Sequence, residues 1–170
     1  MQEERQEDFY NIGVSYKKAD VNTRGKFSLT KENQSSLLKL AKEKGFKGVF
    51  IISTCNRTEI SGFAERPCQL IELLCEFSEG SIQEFAKVSN IYKNQEAIHH
   101  LFRIGTGLES QILGDYEIVG QLRKSFNLAK SLKATNAYSE RLINSVFQAN
   151  KRVKNETKLS SGTTSVSYAA

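Results

Sequence analysis

The run Gly48-Val49-Phe50-Ile51-Ile52-Ser53 constrains the fold of this chain more than any other stretch. It is too short for a self-burying helix, and its continuous apolar, β-branched character is that of a central strand covered on both faces. The polar stretch STCNRTE, residues 53–59, begins at its end. A strand held in a sheet therefore delivers a cysteine, an asparagine and an arginine to its rim, where the reactive groups of α/β and α+β enzymes tend to lie.

The flanking pattern supplies the remaining layers. Phe9 to Tyr16 alternates apolar with small or polar residues and reads as a strand, with Gly13 allowing a second backbone to come close. Lys17 to Phe27 reads as a polar loop. Thr30 is placed to cap a helix with Leu37, Leu38 and Ala41 on one stripe, stopped by Gly45. Glu59 to Ala64 alternates again as a strand. Pro67 opens a helix whose buried stripe is Leu70, Ile71, Leu73, Leu74 and Phe77, with Cys68 and Cys75 spaced as packing residues on it. Val88 to Tyr92 reads as a last short strand. Beyond Asn94 the periodicity is helical, through Ala97 and Leu101, then about Glu117 to Lys133, then about Tyr138 to Glu156.

The order is β-α-β-β-α-β followed by helices. It predicts an α+β fold with a small antiparallel sheet of ferredoxin-like type and a helical lobe. Residues 1–93 form the sheet part and 94–160 the helical part on this reading. Residues 161–170 begin like a capped helix after Gly162 and stop without a breaker, as the start of a truncated linker helix.

At 170 residues with 39% hydrophobic content, the chain can bury a core. Its net charge of +5 suits an anionic partner, and suits a solvated surface equally. Three cysteines without a C-x-x-C pair argue against a disulfide framework or zinc ribbon and for a reducing compartment. The acidic, polar start carries no signal peptide. No apolar stretch approaches the ~20 residues needed to span a bilayer, so a cytoplasmic protein with no membrane partner is expected.

Two readings of Cys55 are open. As a nucleophile it reacts as the thiolate, a form that a neighbouring cation such as Arg57 favours. Otherwise it is a small core residue ending an apolar strand. Arg57 in turn either grips a carboxylate with its planar fork or pairs with Glu59 at the surface. His99 and His100 are adjacent, about 100° apart on a helix, so at most one faces a given site. An imidazole there can assist a thiol whose leaving group is an alkoxide. No ligand cluster follows metal spacing, and no metal is expected. Gly105, Gly107 and Gly114 break the helical pattern beside His100 into a loop or broken helix. Ser110, Asp115, Glu117 and Gln121 there serve either as ligands for a polar substrate or as caps and surface residues.

STCNRTE, HLFRIGTGLESQILGD, Gly120-Gln121, the early GVSYKKADV and the closing KRVKNETKLSSGTTSVSYAA together resemble one family over nearly the whole chain: the N-terminal catalytic domain of glutamyl-tRNA reductase. The resemblance implies that Cys55 attacks the ester of glutamyl-tRNA, with His100 assisting, and that the thioester is reduced to glutamate-1-semialdehyde for tetrapyrrole synthesis. It implies a glutamate site of Thr54, Asn56, Arg57, Ser110, Asp115, Tyr116, Glu117 and Gln121. NADPH and a homodimer contact are implied to belong to domains absent here, and an aminomutase to take the semialdehyde. The family usually carries Gly-Glu-Pro-Gln where this chain has Gly114-Asp115-Tyr116-Glu117, and a histidine where Tyr16 stands. On the residues alone, a cysteine–histidine acyl hydrolase or transferase without redox chemistry and a non-catalytic RNA-binding module are also open.

Overall fold

The computed structural model describes residues 5–115 and 117–157. Its elements run β1 (Asp8–Ser15), α1 (Val21–Phe27), α2 (Lys31–Glu43), β2 (Lys47–Ser53), β3 (Arg57–Ala64), α3 (Pro67–Glu76), α4 (Ile82–Val88), β4 (Asn90–Lys93), α5 (Gln95–Gly105), α6 (Glu117–Ser131) and α7 (Ala137–Glu156). The four strands are ordered β2-β3-β1-β4, and all three pairings are antiparallel. That is the ferredoxin-like arrangement, with α1 and α2 crossing between β1 and β2, and α3 and α4 between β3 and β4. The α+β expectation and its helical lobe hold.

Strand alternation assigns each side chain to a layer. Ile12, Val14, Ile51 and Ile60 lie on the face covered by α2 and α3. Phe9, Phe50, Glu59 and Phe63 lie on the face covered by α5, α6 and α7. Phe50 meets Phe126 of α6 edge-on at 5.4 Å, and Phe9 and Phe63 both meet Tyr138 of α7. Aromatic pairs in this geometry contribute beyond their buried area. One apolar core runs through both layers of helices.

Four expectations are corrected. The strand at Gly48 to Ser53 is an edge strand, not a central one; it is buried because the α6–α7 connection covers its rim, Val49 N–H donating to the Ala134 carbonyl at 2.9 Å. Residues 21–27, expected as loop, form α1, capped by the Asp20 carboxylate accepting from Thr23 N–H at 2.8 Å. Val88 closes α4 rather than opening the last strand, which starts at Asn90. Cys68 is exposed on α3, whereas Cys75 packs against the core. Residues 161–170 lie outside the described residues.

Asn94 fixes where the helical lobe begins. At a φ of 51° and a ψ of −117° its backbone lies in a positive-φ region that favours glycine. Its side chain accepts from Phe9 N–H at 3.0 Å and donates to Asp8 at 2.9 Å. The start of β1 is thereby tied to the start of α5, and α5 carries the histidines across the sheet. His99 is exposed and His100 is buried.

Candidate active site

β2 and β3 form a hairpin whose loop is Thr54-Cys55-Asn56. Thr54 N–H donates to the Arg57 carbonyl at 2.8 Å, closing the turn, and Asn56 N–H reaches Thr54 Oγ1 at 3.2 Å. From outside the hairpin, Tyr16 N–H holds the Asn56 carbonyl at 2.9 Å and Arg24 Nε holds the Cys55 carbonyl at 3.1 Å. Cys55 is therefore exposed at the tip of a loop whose backbone is bonded on both sides. Of its two readings, the buried core residue is excluded. Tyr16 stands beside this hairpin and keeps it closed through its backbone alone.

A cavity of about 90 Å³ opens at that tip, several times the space of one water. Thr54, Cys55, Asn56 and Arg57 line one side; Ser110, Asp115, Glu117 and Gln121 line the other. Two stretches more than fifty positions apart thus converge. The second side is carried by the start of α6, with Glu117 and Gln121, and by the loop between α5 and α6, with Ser110 and Asp115, which the glycines shape as expected. Gly107 and Gly114 have φ of 82° and 80°, and a Cβ on Gly107 would stand 2.9 Å from the Gly114 Cα. Gly114 N–H donates to the Gly107 carbonyl at 3.2 Å, closing the loop on itself. Tyr116 lies outside the described residues. Burial pushes the Asp115 carboxyl above its ordinary pKa, the nearby Glu117 carboxylate adds to the rise, and Glu117 N–H, donating to it, opposes it. The rim on that side suits an ammonium group.

Arg57 and Glu59 are two apart on β3 and so share the face under α5. Their side chains are 3% and 4% exposed, and Arg57 Nη1 bonds Glu59 Oε2 at 2.9 Å. The pairing expected at the surface is a buried one. Glu59 Oε1 is 2.6 Å from His100 Nε2, and the His100 ring stacks on Tyr92 at 4.4 Å. Arg57 Nη2 also donates to the Glu109 carbonyl. Burial alone would raise the Glu59 pKa, but His100 and Arg57, by charge and hydrogen bond, hold it at about 2. His100 does not line the cavity; it reaches the cavity wall only through Glu59 and Arg57.

Gly13 makes room for this array. It sits opposite Glu59 in the β1–β3 ladder, and a Cβ there would stand 2.3 Å from the Thr58 carbonyl oxygen and 2.4 Å from Glu59 Cγ. Backbone cannot yield to that overlap, so Gly13→Ala is expected to cost about 1–3 kcal/mol of stability. A urea midpoint equal to that of the parent chain would contradict the close approach.

Glu109 and Arg24 belong to the site without any sequence signal that singles them out, and Glu59 with only a faint one. Glu59 is the hub of the buried array, and its period-two spacing from Arg57 is the available clue. Glu109 is bonded by Lys17 and, at 2.7 Å, by Arg103; burial would raise its pKa, and those two hydrogen bonds hold it below its ordinary value. It pins the loop that carries Ser110. Arg24 lies on α1, in the stretch expected as loop. Among the described residues no group of three or more His, Cys, Asp or Glu side chains is disposed to hold a metal, and no helix is long and apolar enough to cross a membrane.

The family described as glutamyl-tRNAGlu reductase, N-terminal domain, matches residues 12–157. A glutamyl-tRNA reductase of Christiangramia forsetii is 57% identical over 166 residues, 98% of this chain and 40% of that protein. One from Flavobacterium psychrophilum is 56% identical over 162 residues, 95% of this chain and 39% of that protein. Among solved structures, the glutamyl-tRNA reductase from Methanopyrus kandleri superposes with a TM-score of 0.77 at 25% identity, covering 94% of this chain and 37% of that one. The chain spans about 40% of the length of the curated relatives it matches.

Proposed function

From a chain that belongs to the glutamyl-tRNA reductase N-terminal domain family, we propose that Cys55 carries out the acyl transfer that opens the reaction of those enzymes. The observation that carries this is an exposed cysteine on a clamped hairpin tip facing a small polar cavity. The Cys55 sulfur forms a bond to the glutamyl carbonyl carbon, and the bond from that carbon to the ribose oxygen of glutamyl-tRNA breaks. The departing ribose oxygen takes up the equivalent of the proton that the Cys55 thiol gave up and becomes a hydroxyl, and the glutamyl group stays on sulfur as a thioester.

Asp115 and Glu117 receive the α-ammonium of the glutamyl group. Thr54, Asn56, Ser110 and Gln121 bond its remaining polar atoms, as would Tyr116. Arg57 presents positive charge to the side-chain carboxylate, since a guanidinium has five N–H donors and Glu59 and the Glu109 carbonyl take one each. The sheet part, 1–93, supplies the nucleophile and the helical part, 94–160, completes the pocket.

His100 acts in this scheme as a positioning residue, because its Nε2 is committed to Glu59. A cysteine–histidine hydrolase needs that ring within hydrogen-bond reach of the sulfur, so the geometry favours acyl transfer over that alternative. His100→Ala is expected to slow acylation of Cys55 by about 10-fold. Loss of a general acid acting directly would cost about 10²–10⁴-fold, and a rate in that range would return His100 to the sulfur.

Reduction of the thioester to glutamate-1-semialdehyde would need a hydride donor, NADPH by the resemblance, and would free the Cys55 thiol. The residues here do not fit that cofactor: the cavity is far smaller than a dinucleotide, and among the described residues no strand leads into a glycine fingerprint. The NADPH site and the homodimer contact are assigned to the part of the longer relatives outside this span, as is delivery of the semialdehyde to an aminomutase. Incubating the chain with glutamyl-labelled tRNA should leave hydroxylamine-sensitive label on Cys55. A folded chain that takes none would overturn the reading.

A further inference from the structure

A second, larger cavity lies along α6. It is a groove of about 530 Å³ between α2 and α6, lined by Lys31, Gln34, Lys124, Ser125, Asn127 and Ser131 together with Leu128. No carboxylate lines it, and neither lysine forms an ion pair with a described residue. Lys31 is the first residue of α2. A cation there faces the positive end of the helix dipole, an unfavourable placement that a bound anion reverses.

The groove is continuous in register with the Cys55 pocket. Glu117 and Gln121 line that pocket; Lys124, Leu128 and Ser131 line the groove. These five positions follow one another at spacings of four, three, four and three, so they form one stripe along a single face of α6. From Gln121 to Ser131 that stripe runs about 15 Å at ~1.5 Å per residue.

We propose that the groove between α2 and α6 holds the single-stranded 3′ end of the RNA whose acyl group enters the Cys55 pocket. The inference rests on the glutamyl-tRNA reading above. Lys31 and Lys124 contact phosphates, and the amides and hydroxyls of Gln34, Ser125, Asn127 and Ser131 bond phosphate or sugar oxygens. No aromatic side chain lines the groove, so the strand is held by its backbone and not by base stacking. The stripe along α6 leads the nucleotides preceding the esterified ribose away from Cys55.

The test measures affinity of the chain for uncharged tRNAGlu over a salt series, and for the same RNA trimmed of its 3′ single-stranded nucleotides. The double variant Lys31→Glu/Lys124→Glu is expected to bind intact RNA at least 10-fold more weakly. Its log–log salt slope should be shallower by about 1.4, or ~0.7 for each single-strand phosphate that a lysine no longer neutralises. Trimmed RNA should bind parent and variant alike. Lys87→Glu, on α4, should leave the difference between the two RNAs intact. Unchanged affinity and slope in the double variant would overturn the inference, as would an equal loss on both RNAs, which places the lysines against the duplex. Acylation of Cys55 in the parent chain by a small activated glutamyl ester reports on the reading beneath. If that reaction and labelling from glutamyl-tRNA both fail, the acyl-transfer proposal fails; if they succeed while the lysines prove neutral, only the groove assignment does.

Discussion

A chain carrying Cys55→Ser is expected to take no label from glutamyl-tRNA while unfolding at the same urea concentration as the parent. The side chain is exposed at the hairpin tip, and the hydrogen bonds that hold the tip use the Thr54, Asn56 and Cys55 backbones, which the substitution leaves in place. Serine keeps the shape of the group and removes the readily ionised sulfur. The serine hydroxyl does not ionise as a thiol does, and His100 Nε2 is bonded to Glu59, so the imidazole is not free to activate it. The rate of acyl transfer should fall by at least about 10³-fold, the scale on which removal of a covalent nucleophile acts. Acid-stable label on the serine variant, as an ester at a rate near that of the parent, would show that the acyl group is carried elsewhere.

Glu59→Gln is expected to produce the largest change in stability. The carboxylate lies between Arg57 and His100 with all three side chains buried. Removing its charge leaves a guanidinium out of water without its counter-ion, which costs ~3–5 kcal/mol. For a chain of this size that corresponds to a fall in melting temperature of about 6–20 °C. The pH dependence carries the same signature. Burial raises the pKa of Glu59, the charges and hydrogen bonds of His100 and Arg57 outweigh it, and the folded value is about 2. A carboxyl whose pKa is lower folded than unfolded adds stability that is fully present above the unfolded value of about 4.3. That contribution disappears as the pH falls toward 2. The parent chain should therefore lose stability across that interval, and the glutamine variant should lose correspondingly less. Equal acid profiles for the two chains would contradict an ionised Glu59 in the fold.

The parts of the fold legible in the sequence are those with a periodic apolar signal. The strand at Val49 to Ile52, the helix opened by Pro67 and the three helices after Asn94 each bury several side chains at regular spacing. Helices α1 and α4 are not legible, because each is seven residues long and buries a single large side chain, Phe27 or Phe85. One buried position has no period. Cys68 misleads for the opposite reason: its spacing from Cys75 is regular, but α3 turns that end of the stripe to solvent.

The site divides along the same line. The cavity lining is legible through a motif resemblance, and Ser110, Asp115, Glu117 and Gln121 do stand opposite Thr54 to Arg57. The environment of Arg57 is not. Arg57, Glu59 and Ser61 alternate with Thr58, Ile60 and Gly62, which in an antiparallel strand reads as a polar face turned to water.

The sequence by itself determined the periodic strands and the longer helices, and that Cys55 follows a strand end, because backbone period and turn chemistry act over a few neighbouring residues. The tertiary structure alone decided that α5 packs over β1 and β4 on the side of the sheet to which the polar residues of β3 turn. That placement brings His100 to Glu59 over a separation of 41 positions. It turns a surface ion pair into a buried array and leaves the cysteine, not the histidine, at the cavity. Burial depends on which distant element covers a face, and the residues of that face do not carry the information.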